Sequence, residues 1–345
     1  MRCTRDAARA FTIAAILAAP GFFAGCADSD VDGPGASDRF DVGILVIAGN
    51  AGRAGWPDGD AIRVSVVHDG APIGDAIVTA NGATLTDRGD FYELPPPFEL
   101  QPFESLAFAV RLPSFAQRDT LLVPERPRIL GPLENADLTG CGSIEIEWSR
   151  FTGAGGAWVV VDGAGGETAA FGSRDAQGSL AIIPVPRLSS NDASISVLAL
   201  SAPVDSFRPD APLRRVIPAG VHRLAWSTPR AVRLDPASPL ETNTPDSLTT
   251  WFESGDSVRI AWSPDSVRVR RLSISTQFFA EGNLRWEIVS PEGFLPPVTF
   301  ARVPDGARAC APLARTPAPI EAGVEYLIEL TGAGHTGRGR GVPLR

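Results

Sequence analysis

One short pattern, met twice, most constrains what this chain can fold into. Ser143-Ile-Glu-Ile-Glu-Trp148-Ser149 and Ser257-Val-Arg-Ile-Ala-Trp262-Ser263 each alternate along their length and close on Trp-Ser. Side chains on a strand have a period of two, so Ile144, Ile146 and Trp148 share one face, as do Val258, Ile260 and Trp262. A second piece reads as a turn followed by a strand: Ile217-Pro-Ala-Gly-Val-His-Arg-Leu-Ala-Trp226 and Ile320-Glu-Ala-Gly-Val-Glu-Tyr-Leu-Ile-Glu-Leu330, with a looser copy from Leu100 to Val110. The two pieces recur in the same order in the middle and the last part of the chain. Recurrence at that scale points to tandem modules.

The punctuation agrees with an all-β fold. The 345 residues include 35 Gly and 31 Pro, with no Gly-X-Y period, set between short Val/Ile/Leu/Thr runs. The spacing suits units of about 100 residues, the size of an Ig-type sandwich. With a Trp on an early core strand and Gly323-Val-Glu-Tyr326 leading into a late one, the middle and last units resemble fibronectin type III and related Ig-like domains. That resemblance implies tandem Ig-like/fibronectin type III-like β-sandwiches. It makes Trp148, Trp262 and Tyr326 structural core, and it implies a corner in which the Tyr326 hydroxyl ties its strand to the preceding turn. The middle unit has Arg223 at the corresponding position. The first unit reads strand, Asp69-Gly70 turn, strand, Asn81-Gly82 turn. It resembles the transthyretin-like and carboxypeptidase-regulatory-like sandwiches. Pro clusters suggest the joints. The expected organisation is residues 1–25, 26–40, 41–125, 126–230 and 231–345, the last three being sandwiches.

The first two segments carry an address. A basic head, the apolar run from Phe11 to Phe23 and the small residues Ala24-Gly25 before Cys26 read as a secretory signal peptide. The run is too short, and too broken by Pro20 and Gly21, for a bilayer crossing. Ala24-Gly25-Cys26 resembles the lipobox of bacterial lipoproteins, with Phe23 where that family usually has Leu. The resemblance implies cleavage before Cys26, acylation of its thiol and new amine, and, with Ala27 rather than Asp next, sorting to the outer membrane. Residues 26–40 then form a polar, acidic, Gly-rich tether with too little apolar surface to fold alone.

Charge excludes one class of partner. Arg supplies all 31 basic residues against 40 acidic ones, a net charge of −9. Nucleic acid is not an expected partner, because phosphate affinity needs clustered positive charge. Arg268, Arg270 and Arg271, like Arg338 and Arg340, read as a solvated strand or tail. With Cys3 in the signal and Cys26 lipidated, Cys141 and Cys310 are left. An exported chain can oxidise such a pair to a disulfide; two separate buried thiols are the alternative.

No motif completes a catalytic or metal site. Residues 28–33, Asp-Ser-Asp-Val-Asp-Gly, open like a calcium loop, but Arg39 stands where the closing Glu belongs. Gly255-Asp-Ser-Val258 resembles the nucleophile block of a hydrolase family, yet it stands late in the chain and no Asp-x-x-His follows. Gly153–Gly156, Gly163–Gly166 and Gly332–Gly334 lack the Gly-Lys-Ser/Thr ending of a phosphate loop. His68, His222 and His335 are not spaced as ligands. The expectation is a non-enzyme with no cofactor and no metal. It would be a membrane-anchored binding, adhesion or spacer module meeting an unidentified protein or glycan partner. The rivals are a carbohydrate-binding accessory protein, which needs an exposed aromatic row, and a hydrolase, which needs His beside a carboxylate in a cleft.

Overall fold

The computed structural model describes residues 40–343 except 50–51, 152–154, 174–179, 187, 204–205, 236–246, 254–256, 277–283, 313–315 and 333–334. The signal segment, Cys26, the tether up to residue 39 and the calcium-like loop lie outside the described residues, as do Gly255 and Asp256 of the hydrolase-like block. The described residues are all-β and contain no α-helix. They form tandem Ig-like/fibronectin type III-like sandwiches built on three main cores.

Alternation along one strand explains how the first two sandwiches are joined. Phe40–Ala48 pairs antiparallel with Ala61–His68 on one side and parallel with Gly220–Trp226 on the other. Gly220–Trp226 pairs in turn with Asp192–Leu200, and that strand with Gly156–Gly163. The result is a single 11-stranded sheet running through both modules. The period of two then divides its residues between its faces. Val42, Ile44 and Val46 enter the first core, closed by the four-stranded sheet that contains Ile77–Ala80, Ser105–Leu112 and Phe115–Leu122. On the same face Val159, Val161, Ile195 and Val197 enter the middle core, closed by the three-stranded sheet built on Ser143–Trp148. Between these cores the register lines up Ala48, Ala225, Ala199 and Ala157 across four strands. Phe151 packs on the first three.

One expected boundary moves. The joint expected after residue 125 lies between Val123 of the first core and Ile129 of the middle one, although the strands of the two units share a continuous ladder. The joint expected after residue 230 cuts Arg230–Arg233, which pairs with Asp192–Leu200 and places Val232 in the middle core. Pro clusters mark where a strand stops; they carry no information about which distant edge it joins.

The last sandwich closes through Ser247–Glu253. This strand runs parallel to His335–Gly341 for two pairs, then turns away to pair antiparallel with Arg259–Ser263. It can cross so closely because the C-terminal strand presents Gly337, Gly339 and Gly341 on that face. A Cβ at Gly337 would lie 2.7 Å from the Cβ of Leu248, and one at Gly341 2.6 Å from the Phe252 ring. Arg338 and Arg340 project from the alternate positions and pair with Glu329 and Glu325 at 2.6 and 3.6 Å.

Both tyrosines of the chain are buried ties. The Tyr326 hydroxyl accepts the amide of Glu321 at 2.9 Å. The Tyr92 hydroxyl accepts from the amide of Ala76 and donates to the carbonyl of Ile73. Asp69-Gly70 and Asn81-Gly82, all at positive φ, close two-residue hairpins between His68 and Ala71 and between Ala80 and Ala83.

Candidate functional site

The most elaborately built places in this molecule are its two junctions. At the first, the reverse face of the shared sheet carries Leu45, Ile47, Leu224, Leu198, Trp158 and Trp226. Trp56 and Phe207, from the segments preceding Ala61–His68 and Gly220–Trp226, cover them. The Trp56 ring meets Trp226 edge-on at 5.5 Å, and its indole N–H donates to the Ala211 carbonyl at 3.0 Å. Arg53 passes over Trp226 and ion-pairs with Asp162 of the middle sandwich. The buried Ser65 hydroxyl accepts the Ile217 amide at 2.9 Å. Asp60, its side chain 3% exposed, accepts from the amides of Gly49 and Leu100 and from Arg126 in the connecting segment.

At the second junction Cys141 and Cys310, 169 positions apart, are joined by a disulfide. Cys310 and Val289 of the last sandwich belong to the hydrophobic core of the middle one. The odd positions of Leu284–Phe294 face outward from their own core, which turns Glu287 toward the middle sandwich. Its Oε1 accepts the Gly142 amide at 2.5 Å and the Arg271 Nε–H at 3.2 Å. Glu287 is fully buried. The guanidinium of Arg271 fills the space where a side chain at residue 142 would project, so a larger residue there would have to displace it from Glu287. Arg308 donates to the carbonyls of Asp137 and Thr139 and pairs with the Asp137 carboxylate at 3.4 Å. Hydrogen bonding from Thr139 and the positive charge of Arg308 hold the Asp137 carboxyl below the usual carboxylate range.

The residues singled out in the sequence fall as follows. Cys141 and Cys310 come together. Trp148 and Trp262 lie in separate cores, 2% and 1% exposed. Trp56, Trp158, Trp226 and Trp286 are also buried, leaving Trp251, at 40%, as the one exposed indole. His68 stacks on Phe40 and lies 3.8 Å from the carboxylate of its neighbour Asp69. His222 Nε2 is 3.1 Å from the Pro218 carbonyl. His335 begins the last strand. Among the described residues no group of three or more His, Cys, Asp or Glu side chains is arranged to hold a metal ion. Sequence reasoning missed Arg271, Glu287, Gly142 and Tyr92 as junction and corner residues. Of these only Tyr92 carried a signal, as one of just two tyrosines in the chain.

No protein-family model matches the chain, and no curated protein sequence matches it. Among solved structures it is similar to the fibronectin(III)-like modules of Clostridium thermocellum CbhA, at 14% identity over 59% of this chain and 98% of that one, TM-score 0.23. It is also similar to a tetra-tandem repeat from the extending region of a large adhesion protein, at 12% identity over 89% and 75%, TM-score 0.21. A third is the two-domain fibronectin type III segment of chicken tenascin, at 14% identity over 63% and 97%, TM-score 0.18. The assignment to the sandwich class rests on the strand pairing described above.

Proposed function

We propose that this chain is an exported, lipid-anchored, non-catalytic spacer that holds its sandwiches in fixed mutual orientation and displays their loops and sheet edges to a partner. The observation that carries the reading is the double fastening of each junction. A shared ladder and a Trp-rich core hold the first; a disulfide, a shared core and the bond from the Gly142 amide to the buried Glu287 carboxylate hold the second. Modules joined by small polar contacts would swing. These junctions suit a body that transmits position.

Anchoring at Cys26 is part of the proposal. A disulfide persists in oxidising compartments, and this supports export. Multiple acyl chains on one cysteine would give stable attachment. The outer membrane is the proposed location, and a protein or glycan the proposed partner. A glycan platform calls for an exposed aromatic row, and the exposed aromatic residues among those described, Phe103 and Trp251, belong to different sandwiches, so a protein partner is the favoured reading. The test is intact-mass analysis of the membrane-bound protein together with fractionation of Cys26→Ala. Acylated Cys26 and release of the variant are expected. An unmodified cysteine in the membrane fraction would end the anchor reading.

A further inference from the structure

We infer that the outer face of the small sheet in the first sandwich docks on anionic phospholipid, at the bilayer that carries the anchor. The identity of that bilayer rests on the anchor proposed above; the rest is geometry. Strand register sets Ile77, Arg111 and Ala116 side by side across three strands, and Thr79, Ala109 and Arg118 in the next row. Their neighbours along the strands, Val78, Val110 and Leu121 among them, point into the core, so these rows point outward. Arg111 and Arg118 are exposed. Neither makes an ion pair or a side-chain hydrogen bond within the described residues, unlike Arg338 and Arg340. The register of the four strands places no carboxylate on this face.

The two arginines are diagonal neighbours, a separation of roughly 7–8 Å in a sheet, so like charges stand close with no ion-pair partner among the described residues. That is unusual in a chain of net charge −9. Ile77, 60% exposed, flanks Arg111. Arginine beside an exposed aliphatic group is suited to a headgroup layer, where charge meets phosphate and the side chain enters the acyl boundary.

The point where the chain enters the body lies at the same end of this sheet. The Phe40 ring stacks on Phe115 at 4.8 Å. Phe115 pairs with Leu112, one step from the Arg111–Ala116 pair. Thirteen residues lie between Cys26 and Phe40, a reach of roughly 45 Å when extended. A membrane-held Cys26 would leave this face within reach of the headgroups.

The experiment uses residues 26–345 with Cys26→Ala, so that no acyl chain contributes, in co-sedimentation with vesicles of phosphatidylcholine alone or with one quarter phosphatidylglycerol. Binding to the anionic vesicles and not the neutral ones is expected. Arg111→Gln with Arg118→Gln should weaken it by roughly fivefold per arginine, about 25-fold together, with an unchanged melting temperature. Arg338→Gln with Arg340→Gln makes the same charge change at ion-paired sites and should leave binding unaltered. Equal loss in both pairs, equal binding to both vesicle types, or retention on heparin without vesicle binding would each overturn the proposal. Because the protein tested is unacylated, these outcomes are independent of whether Cys26 is acylated in cells.

Discussion

Gly43 lies directly opposite Gly220 as the first pair of the parallel ladder that joins the first two sandwiches. A Cβ on Gly43 would come within 2.5 Å of the Ile217 carbonyl oxygen. The Ile217 backbone cannot easily recede, because its amide is held by Ser65. Gly43→Val should therefore part the ladder locally, at a cost of about 1–3 kcal/mol. Hydrogen exchange should show lost protection at Gly220–Trp226, with the middle core unchanged. Undiminished protection there would mean that the ladder does not hold the modules.

The Cys141–Cys310 bond spans two sandwiches, joining positions 169 apart in a chain of 345 residues. Removing it with Cys141→Ala and Cys310→Ala should destabilise the second junction by roughly 2–5 kcal/mol. Denaturation should then show two transitions, the last sandwich unfolding apart from the rest. A single transition at the original midpoint would assign the coupling to the remaining contacts, the Val289 packing, the Gly142–Glu287 bond and the Arg308–Asp137 pair.

Trp148 and Trp262 each fill a different core, and the Trp262 indole N–H also donates to the Val267 carbonyl at 2.9 Å. Truncation of either to Ala should cost roughly 3–5 kcal/mol. In the disulfide-free background each loss should fall on its own module, as read by the fluorescence of the tryptophans that remain. A loss smaller than about 1 kcal/mol would contradict the packing seen here.

Stability should fall at both ends of the pH range, for different groups. The Asp137 carboxyl is held below its ordinary value of 3.8, chiefly by hydrogen bonding from Thr139, with Arg308 adding to it. Its contribution is therefore complete above that value and is lost as pH falls through the lower folded one. Burial raises the Tyr92 hydroxyl above its ordinary 10.0, against the bond from the Ala76 amide. That contribution is complete below 10.0 and is lost as pH rises through the higher folded value. Asp137→Asn should flatten the acid limb of a melting-temperature profile, and Tyr92→Phe the alkaline one. Unchanged limbs would assign the pH dependence to other groups.

The sequence by itself determined what is local. A two-residue period decides which side chains of 143–148 can share a face, and Ile144, Ile146 and Trp148 are all buried in one core. Asp-Gly and Asn-Gly supply the positive φ that a tight hairpin needs, so Asp69-Gly70 and Asn81-Gly82 were legible as turns. The alternation Gly337-x-Gly339-x-Gly341 was on the page as well, but its meaning was not. Only the crossing of Leu248, Thr250 and Phe252 shows why a side chain is excluded there. The tertiary structure alone decided the junctions. Residues 43–48 and 220–225 have no sequence pattern that announces a parallel partner, because ladder bonds are made by backbone atoms common to every residue. Glu287, Arg271 and Gly142 likewise look like ordinary surface positions until two sheets are brought face to face. Cys141 and Cys310 could have remained two buried thiols; that they are bonded follows from how the last two sandwiches meet, which no spacing along the chain encodes.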